Sequence, residues 1–142
     1  MQREDLNFYL QYAALSDLQN LSAKLDSKIE VIQAPTAQTL LLPIKDPISQ
    51  GEFYGGEVLV TTTLVRLERG GKHSDGFAMV LDDNEEYSYH IALLDAYVGF
   101  GEQDALSQAI FALTKEAKEA KQKAQEEQNQ KIDSTRVQFE IM

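Results

Sequence analysis

Leu6, Tyr9, Leu10 and Ala13 recur at helical spacing across residues 4–15, because positions three and four apart share one face of a helix. Ser16 fits an N-cap, and Leu18, Leu21, Ala23 and Leu25 carry the period into a second short helix, or into the far half of one helix kinked near Ser16. From Lys28 the period shortens to two. Ile29, Val31 and Ile32 predict a strand, Pro35 and Thr36 a turn, and residues 39–44 a second strand that Pro43 either assigns to a sheet edge or ends. Residues 45–51 (KDPISQG) have the composition of a loop. The strongest strand signal covers residues 57–67 (EVLVTTTLVRL). Leu59, Thr61, Thr63, Val65 and Leu67 fall on one face, and Val58, Val60, Thr62 and Leu64 on the other. Both faces are apolar or β-branched, which predicts a central strand covered on both sides. Arg69, Gly70, Gly71 and Lys72 predict a turn, and residues 76–81 (GFAMVL) return as the antiparallel partner.

Beyond that hairpin the helical period resumes. Asp83 and Glu86, three residues apart, fit a capping box whose acidic groups complement the helix dipole. The helix they open runs to about Val98 and stops at Gly99, Phe100 and Gly101. A long last helix is predicted over residues 102–131, with the stripe Leu106, Ile110, Leu113, Ala117, Ala120 and Ala124. After Leu113 that stripe is alanine alone, within KEAKEAKQKAQEEQNQK, where Glu119–Lys123 and Glu127–Lys131 supply helical ion pairs. Half of this helix therefore stands in solvent or lies on another chain. The tail alternates again, with Val137, Phe139 and Ile141 on one side, as a strand that closes its own sheet or joins a partner's edge. The pattern predicts one α+β domain: residues 1–27 helical, 28–82 β-rich, 83–131 helical, and 132–142 an apolar tail or strand. Its mostly antiparallel sheet has about four or five strands, packed with N-terminal, middle and long C-terminal helices.

Composition narrows the function classes. A chain of 142 residues is the size of one domain. The formal net charge of −10, from 13 Lys+Arg against 23 Asp+Glu, argues against nucleic acid, whose binding needs clustered cations to displace counterions. The absence of cysteine removes disulfides, thiolate nucleophiles, iron–sulfur ligation and cysteine-based zinc sites. The N-terminus MQREDLNFYL lacks the apolar core of a signal peptide, and no apolar stretch is long enough to span a bilayer. A soluble cytoplasmic protein is the default expectation, with no membrane contact.

No catalytic constellation emerges from the residues. His73 and His90 have no H-x-x-x-H partner, so a surface or interface role outweighs a metal or catalytic one. Asp82, Asn84 and Glu86 space their oxygens like the start of a calcium loop, but Tyr87 and Leu93 stand where glycine and glutamate are required. Gly55 and Gly56 precede a strand rather than a helix, which favours a bulge or turn over a phosphate cradle. No G-x-S-x-G occurs. Arg66 on a central strand needs a partner if buried; a salt bridge to Asp95 is the simpler account, an anionic ligand the sharper one.

Three stretches together resemble a known family. Residues 53–67 (FYGGEVLVTTTLVRL) resemble the F-x-x-G-E-V-L-V-T segment of the PhnG subunit of bacterial carbon–phosphorus lyase. Residues 75–96 (DGFAMVLDDNEEYSYHIALLDA) are similar to its G-x-x-x-V-x-G-D-x-x-x-A-x-x-x-A-x-x-D-A segment, and STRVQFEIM at 134–142 to its terminal T-x-V-x-F-x-x-M. Leu81 stands where the family usually has glycine, and Tyr87 and His90 or Ile91 lie near its small alanine positions. The resemblance implies a subunit that assembles with PhnH, PhnI and PhnJ. Together with the PhnI nucleosidase and PhnL, it would support replacement of the adenine of ATP by a phosphonate. The iron–sulfur and metal ligands of that system sit on other subunits, so no cofactor or metal is implied here.

Gly56, Glu57, Thr61, Arg66, Asp95, Val137 and Phe139 are the candidates for architecture or partner contact. Two alternatives stand beside the subunit reading. In one, Glu57, His90 or Asp95 supplies acid–base chemistry to a site shared between subunits. In the other, the chain is a self-associating module unrelated to phosphonates that uses its alanine-rich helix as the contact. A homo-oligomer in isolation is compatible with either.

Overall fold

Two short helices open the chain, α1 (Arg3–Leu10) and α2 (Leu15–Ser22). The computed structural model describes the backbone of residues 3–45 and 52–141, and the side chains of residues 3–41 and 56–130. Two 18-residue strands, β1 (Lys28–Lys45) and β2 (Glu52–Arg69), form an antiparallel ribbon. A third, β3 (Lys72–Leu81), pairs antiparallel with β2 from Val60 to Arg69 only, giving the order β1-β2-β3. Helices α3 (Glu85–Val98) and α4 (Ala105–Ile141) complete the fold. The α+β class and the antiparallel sheet agree with the sequence pattern, but the sheet has three strands rather than four or five.

The missing strands have physical explanations. Residues 29–32 and 39–44 belong to one strand, because Pro35 does not turn the chain. It lies where the register against β2 shifts, between Gln33 and Thr36. An edge strand accepts a residue without an N–H, and a bulge absorbs the lost pairing. At the other end, residues 132–141 continue α4 rather than forming a strand. A helix satisfies its backbone groups within one segment, whereas a terminal strand needs an edge to pair with. Val137 and Phe139 are in this part of α4; their side chains lie outside the described residues. The loop expected at 46–51 also lies outside them.

Helix α3 is the middle of the packing. From Ile91 to Tyr97 every residue is buried, as expected of a helix apolar on all sides. One flank meets the odd-numbered face of β2 and the even-numbered face of β3, through Val65, Leu67, Ala78 and Val80. The other meets Leu6 and Leu10 of α1 and Leu18 of α2, and Ile110 and Ala117 of α4 close the same cluster. The β2–β3 hairpin turns on Gly70 (φ 56°) and Gly71 (φ 81°), the paired left-handed conformation that suits a two-residue hairpin.

Several predicted caps differ in detail. Helix α2 starts at Leu15 with Ala14 as its N-cap, so Ser16 lies inside the first turn. Helix α3 has Asn84 as its N-cap, and neither Asp83 nor Glu86 closes a capping box. Thr61 does that work from the neighbouring strand. Its Oγ1 accepts from the Asn84 N–H at 3.0 Å and donates to the Asp82 carbonyl at 2.7 Å. Asn84 Nδ2 donates back to the Leu81 carbonyl. These bonds hold Asp82 in the left-handed region (φ 67°), where aspartate is one of the few non-glycine residues found with any frequency.

Candidate interaction surface

The outer edge of β3 is closed by side chains. Arg3, Asn7 and Gln11 repeat every four residues and face that strand. Arg3 donates to the Asp75 carbonyl, and Asn7 Nδ2 to the Phe77 carbonyl at 2.7 Å. Asn7 Oδ1 accepts from the Met79 N–H at 2.9 Å, and Gln11 Oε1 from the Leu81 N–H at 3.1 Å. Asp95 reaches the same edge from α3, accepting from the Phe77 N–H at 3.0 Å while pairing with Arg3 Nε at 2.9 Å. These amide, guanidinium and carboxylate groups occupy the place of a fourth strand. They satisfy peptide groups that an open edge would offer to another chain.

The outer edge of β1 has no such cover. Among the described residues, no hydrogen bond reaches it from another element. Where β3 stops at Val60, β1 and β2 continue as a two-stranded ribbon. Leu41 and Leu59 on that ribbon are 53% and 43% exposed, far from the covered state expected of a central strand. Phe77, Met79 and Leu81 are exposed on the sheet face away from α3, and with Phe8 and Val60 they border a groove of about 450 Å³. Helix α4 is a second projection. Its 37 residues span about 55 Å at 1.5 Å per residue, yet among the described residues its last buried side chain is Ala117, and residues 122–130 are all exposed.

The candidate residues are placed apart. Glu57 is exposed on the ribbon opposite Leu41. Gly56 also lies within β2, beside the register shift at Leu42, and relieves no turn. Thr61 is buried beneath the start of α3. Arg66 does not pair with Asp95. Two-residue alternation puts Arg66 on the sheet face away from α3, where its Nε meets Asp75 Oδ1 at 2.7 Å across the strand pair. The Arg66 guanidinium holds the Asp75 carboxyl below the usual carboxylate range. Among the described residues no hydrogen bond or ion pair joins any two of Glu57, His90 and Asp95, and no cluster of histidine and carboxylate side chains fit for a metal occurs.

His90 faces the N-terminal helices, with Nδ1 3.0 Å from Ser22 Oγ. Burial holds its imidazole below the ordinary value of 6.5, against the opposing pull of the Glu86 charge. The unfolded chain therefore takes up this proton more readily than the folded one. Stability from this site is full above pH 6.5 and falls as pH drops below it. His90→Gln is expected to flatten the acid side of the stability profile, read from urea midpoints at a series of pH values. An unchanged acid slope would remove His90 from the account.

A second cluster, which periodicity did not reveal, fastens the far end of the hairpin. Arg69 Nη1 donates to Tyr97 Oη at 3.1 Å and to Glu102 at 2.9 Å, with Asp26 at 3.6 Å from its Nε. The Tyr97 hydroxyl in turn donates to Asp104. Burial and the Asp104 charge raise the Tyr97 phenol above its ordinary value. These groups use their bonding capacity on one another, and tie β2 to the α3–α4 connection and to the segment before β1.

Among the described residues, fold and surface together define a small α+β domain with one sheet edge closed, the other bare, and two projections that the core does not cover. A family model described as phosphonate metabolism protein PhnG matches residues 1–142, the whole chain, and the chain belongs to that family. Its role is in phosphonate metabolism. A search of the curated proteins returns no match. No helix among the described residues is long and apolar enough to cross a membrane.

Proposed function

We propose that this protein is a scaffold or accessory subunit of a carbon–phosphorus lyase core complex, working with PhnH-, PhnI- and PhnJ-like partners and with PhnL. In that role it supports the step in which a phosphonate replaces the adenine of ATP on ribose, without a complete active site of its own. The observation that carries the reading is the surface left over after the core is built. An isolated two-stranded ribbon is at best marginally stable in water, and the distal half of α4 buries none of its described side chains. Long exposed elements of this kind gain their packing from neighbouring chains.

Co-expression with the three candidate partners, pulling on this chain, tests the proposal. A stoichiometric complex is expected, and truncation after Lys131 is expected to reduce partner recovery at least several-fold while the remaining domain still folds. Recovery of this chain alone, from cells in which the partners are soluble, counts against the subunit reading. Full recovery with the truncated chain removes the tail from the interface.

A further inference from the structure

From Val31 to Ile44 the chain runs VIQAPTAQTLLLPI without one Asp, Glu, Lys or Arg, although a quarter of the whole sequence is charged. This run makes up most of β1, whose outer edge is the open one. Natural edge strands are normally protected by charge, above all lysine, by a covering element, or by prolines and bulges that break the edge locally. The protein applies the second device to β3, through Arg3, Asn7, Gln11 and Asp95. On β1, prolines and register shifts interrupt the edge around residues 33–36 and 42–43, but no charge lies between Val31 and Ile44 and, among the described residues, no hydrogen bond from another element covers it. Within β1 the longest stretch free of register shifts is residues 36–42, where Ala37, Thr39 and Leu41 are exposed.

We infer that the open edge of β1 pairs antiparallel with the same edge of a second copy, joining two three-stranded sheets into one of six. Three observations single out a second copy. Residues 31–44 of the edge carry no charge, so two copies of a chain with net charge −10 that pair through residues 36–42 meet there without like charges opposed. Antiparallel pairing about a twofold axis is self-complementary: with the axis at Thr39, Ala37 of one copy lies opposite Leu41 of the other and Gln38 opposite Leu40. Threonine opposite threonine is a favourable cross-strand pair. Finally, the closed edge of β3 prevents the β1-to-β3 contact that would propagate. Only the β1-to-β1 contact is left, and it closes after two copies. A seven-residue strand pair buries less than the roughly 1,200 Å² of a typical stable interface, so the monomer and dimer should exchange in the micromolar range. The inference concerns this chain alone and stands apart from the identity of the partner subunits.

The natural absence of cysteine gives a direct test. Residues directly opposite in an antiparallel pair have Cα atoms about 4.5–5.5 Å apart, within disulfide reach. Thr39→Cys is expected to give a disulfide-linked dimer under mild oxidation, whereas Lys72→Cys, beside the β2–β3 turn, is expected to stay monomeric at the same concentration. By sedimentation equilibrium the cysteine-free protein should pass from monomer to dimer as concentration rises through the micromolar range. The double variant Ala37→Lys/Thr39→Lys should shift that midpoint upward at least tenfold with its circular dichroism unchanged. A monomer at every concentration overturns the inference, and so does a dimer that Thr39→Cys fails to cross-link or that the two lysines leave intact.

Discussion

Replacing Gly76 by alanine should destabilise the fold by about 3 kcal/mol or leave the protein insoluble, although the same change in an open strand normally helps. Glycine in a strand interior costs roughly 0.5–1 kcal/mol relative to alanine. At Gly76 the sterics reverse the sign. A Cβ there would collide with the Ala92 carbonyl oxygen and lie 2.6 Å from both Cβ and N of Ala96. These are backbone and first side-chain atoms of α3, with no flexible end that could move aside. Either α3 lifts off the sheet or β3 leaves its register, and both open the core around Ala78 and Ile91. Gly56→Ala is the control, because nothing lies within 4 Å of a Cβ built there. Urea midpoints at constant slope measure the difference; equal midpoints for the two variants would show that close packing of α3 on β3 does not limit stability.

Asp95→Ala should have the next largest effect, a loss of about 2–3 kcal/mol, or roughly 5–10 °C in melting temperature for a chain of this size. The Asp95 side chain is 8% exposed and accepts from both Arg3 and the Phe77 N–H. Alanine leaves a peptide N–H of β3 without an acceptor inside the packed edge, which costs more than the ion pair itself. Arg3 is 43% exposed, so Arg3→Ala should cost less than about 1 kcal/mol. Asp95→Asn should fall between the two, since an amide oxygen still accepts from Phe77. The ranking separates an edge cap from an acid–base group. A catalytic Asp95 would leave the asparagine variant stable and assembled but without turnover in the complex.

Local rules were legible along most of this chain. Gly70 and Gly71 marked the hairpin, apolar and β-branched runs on either side of them marked the β2–β3 pair, and the thinning alanine stripe marked where α4 leaves the core. Pairings between distant segments were not. Arg3 reaches Asp95 across 92 residues and Asn7 reaches Phe77 across 70, and no periodicity within α1 says what its polar stripe will meet. The i, i+4, i+8 spacing of Arg3, Asn7 and Gln11 was the one available signal, and it looks the same as an ordinary solvated face. The partner of Arg66 follows from a simpler rule than the salt bridge to Asp95 or the anionic ligand that the sequence suggests. Counting its parity along β2 places it away from α3 and opposite Asp75. The tail misled in the opposite direction: its alternation is a strand's, but the helix behind it continues through residue 141.

The side-chain ladder on β3 also bears on how the chain must fold. Most of its side chains, donors and acceptors alike, belong to residues 3–11, and the strand they seal lies about 70 residues further on. During synthesis α1 emerges before β3 and has no strand edge to grip. Once β3 pairs with β2, its outer edge stays bare until α1 docks, and contacts of such long sequence separation form late. For that interval the molecule has two sticky edges instead of one, and can chain end to end with its neighbours. Refolding yield should therefore depend steeply on protein concentration, and a bulky N-terminal fusion that delays docking would lengthen the vulnerable interval.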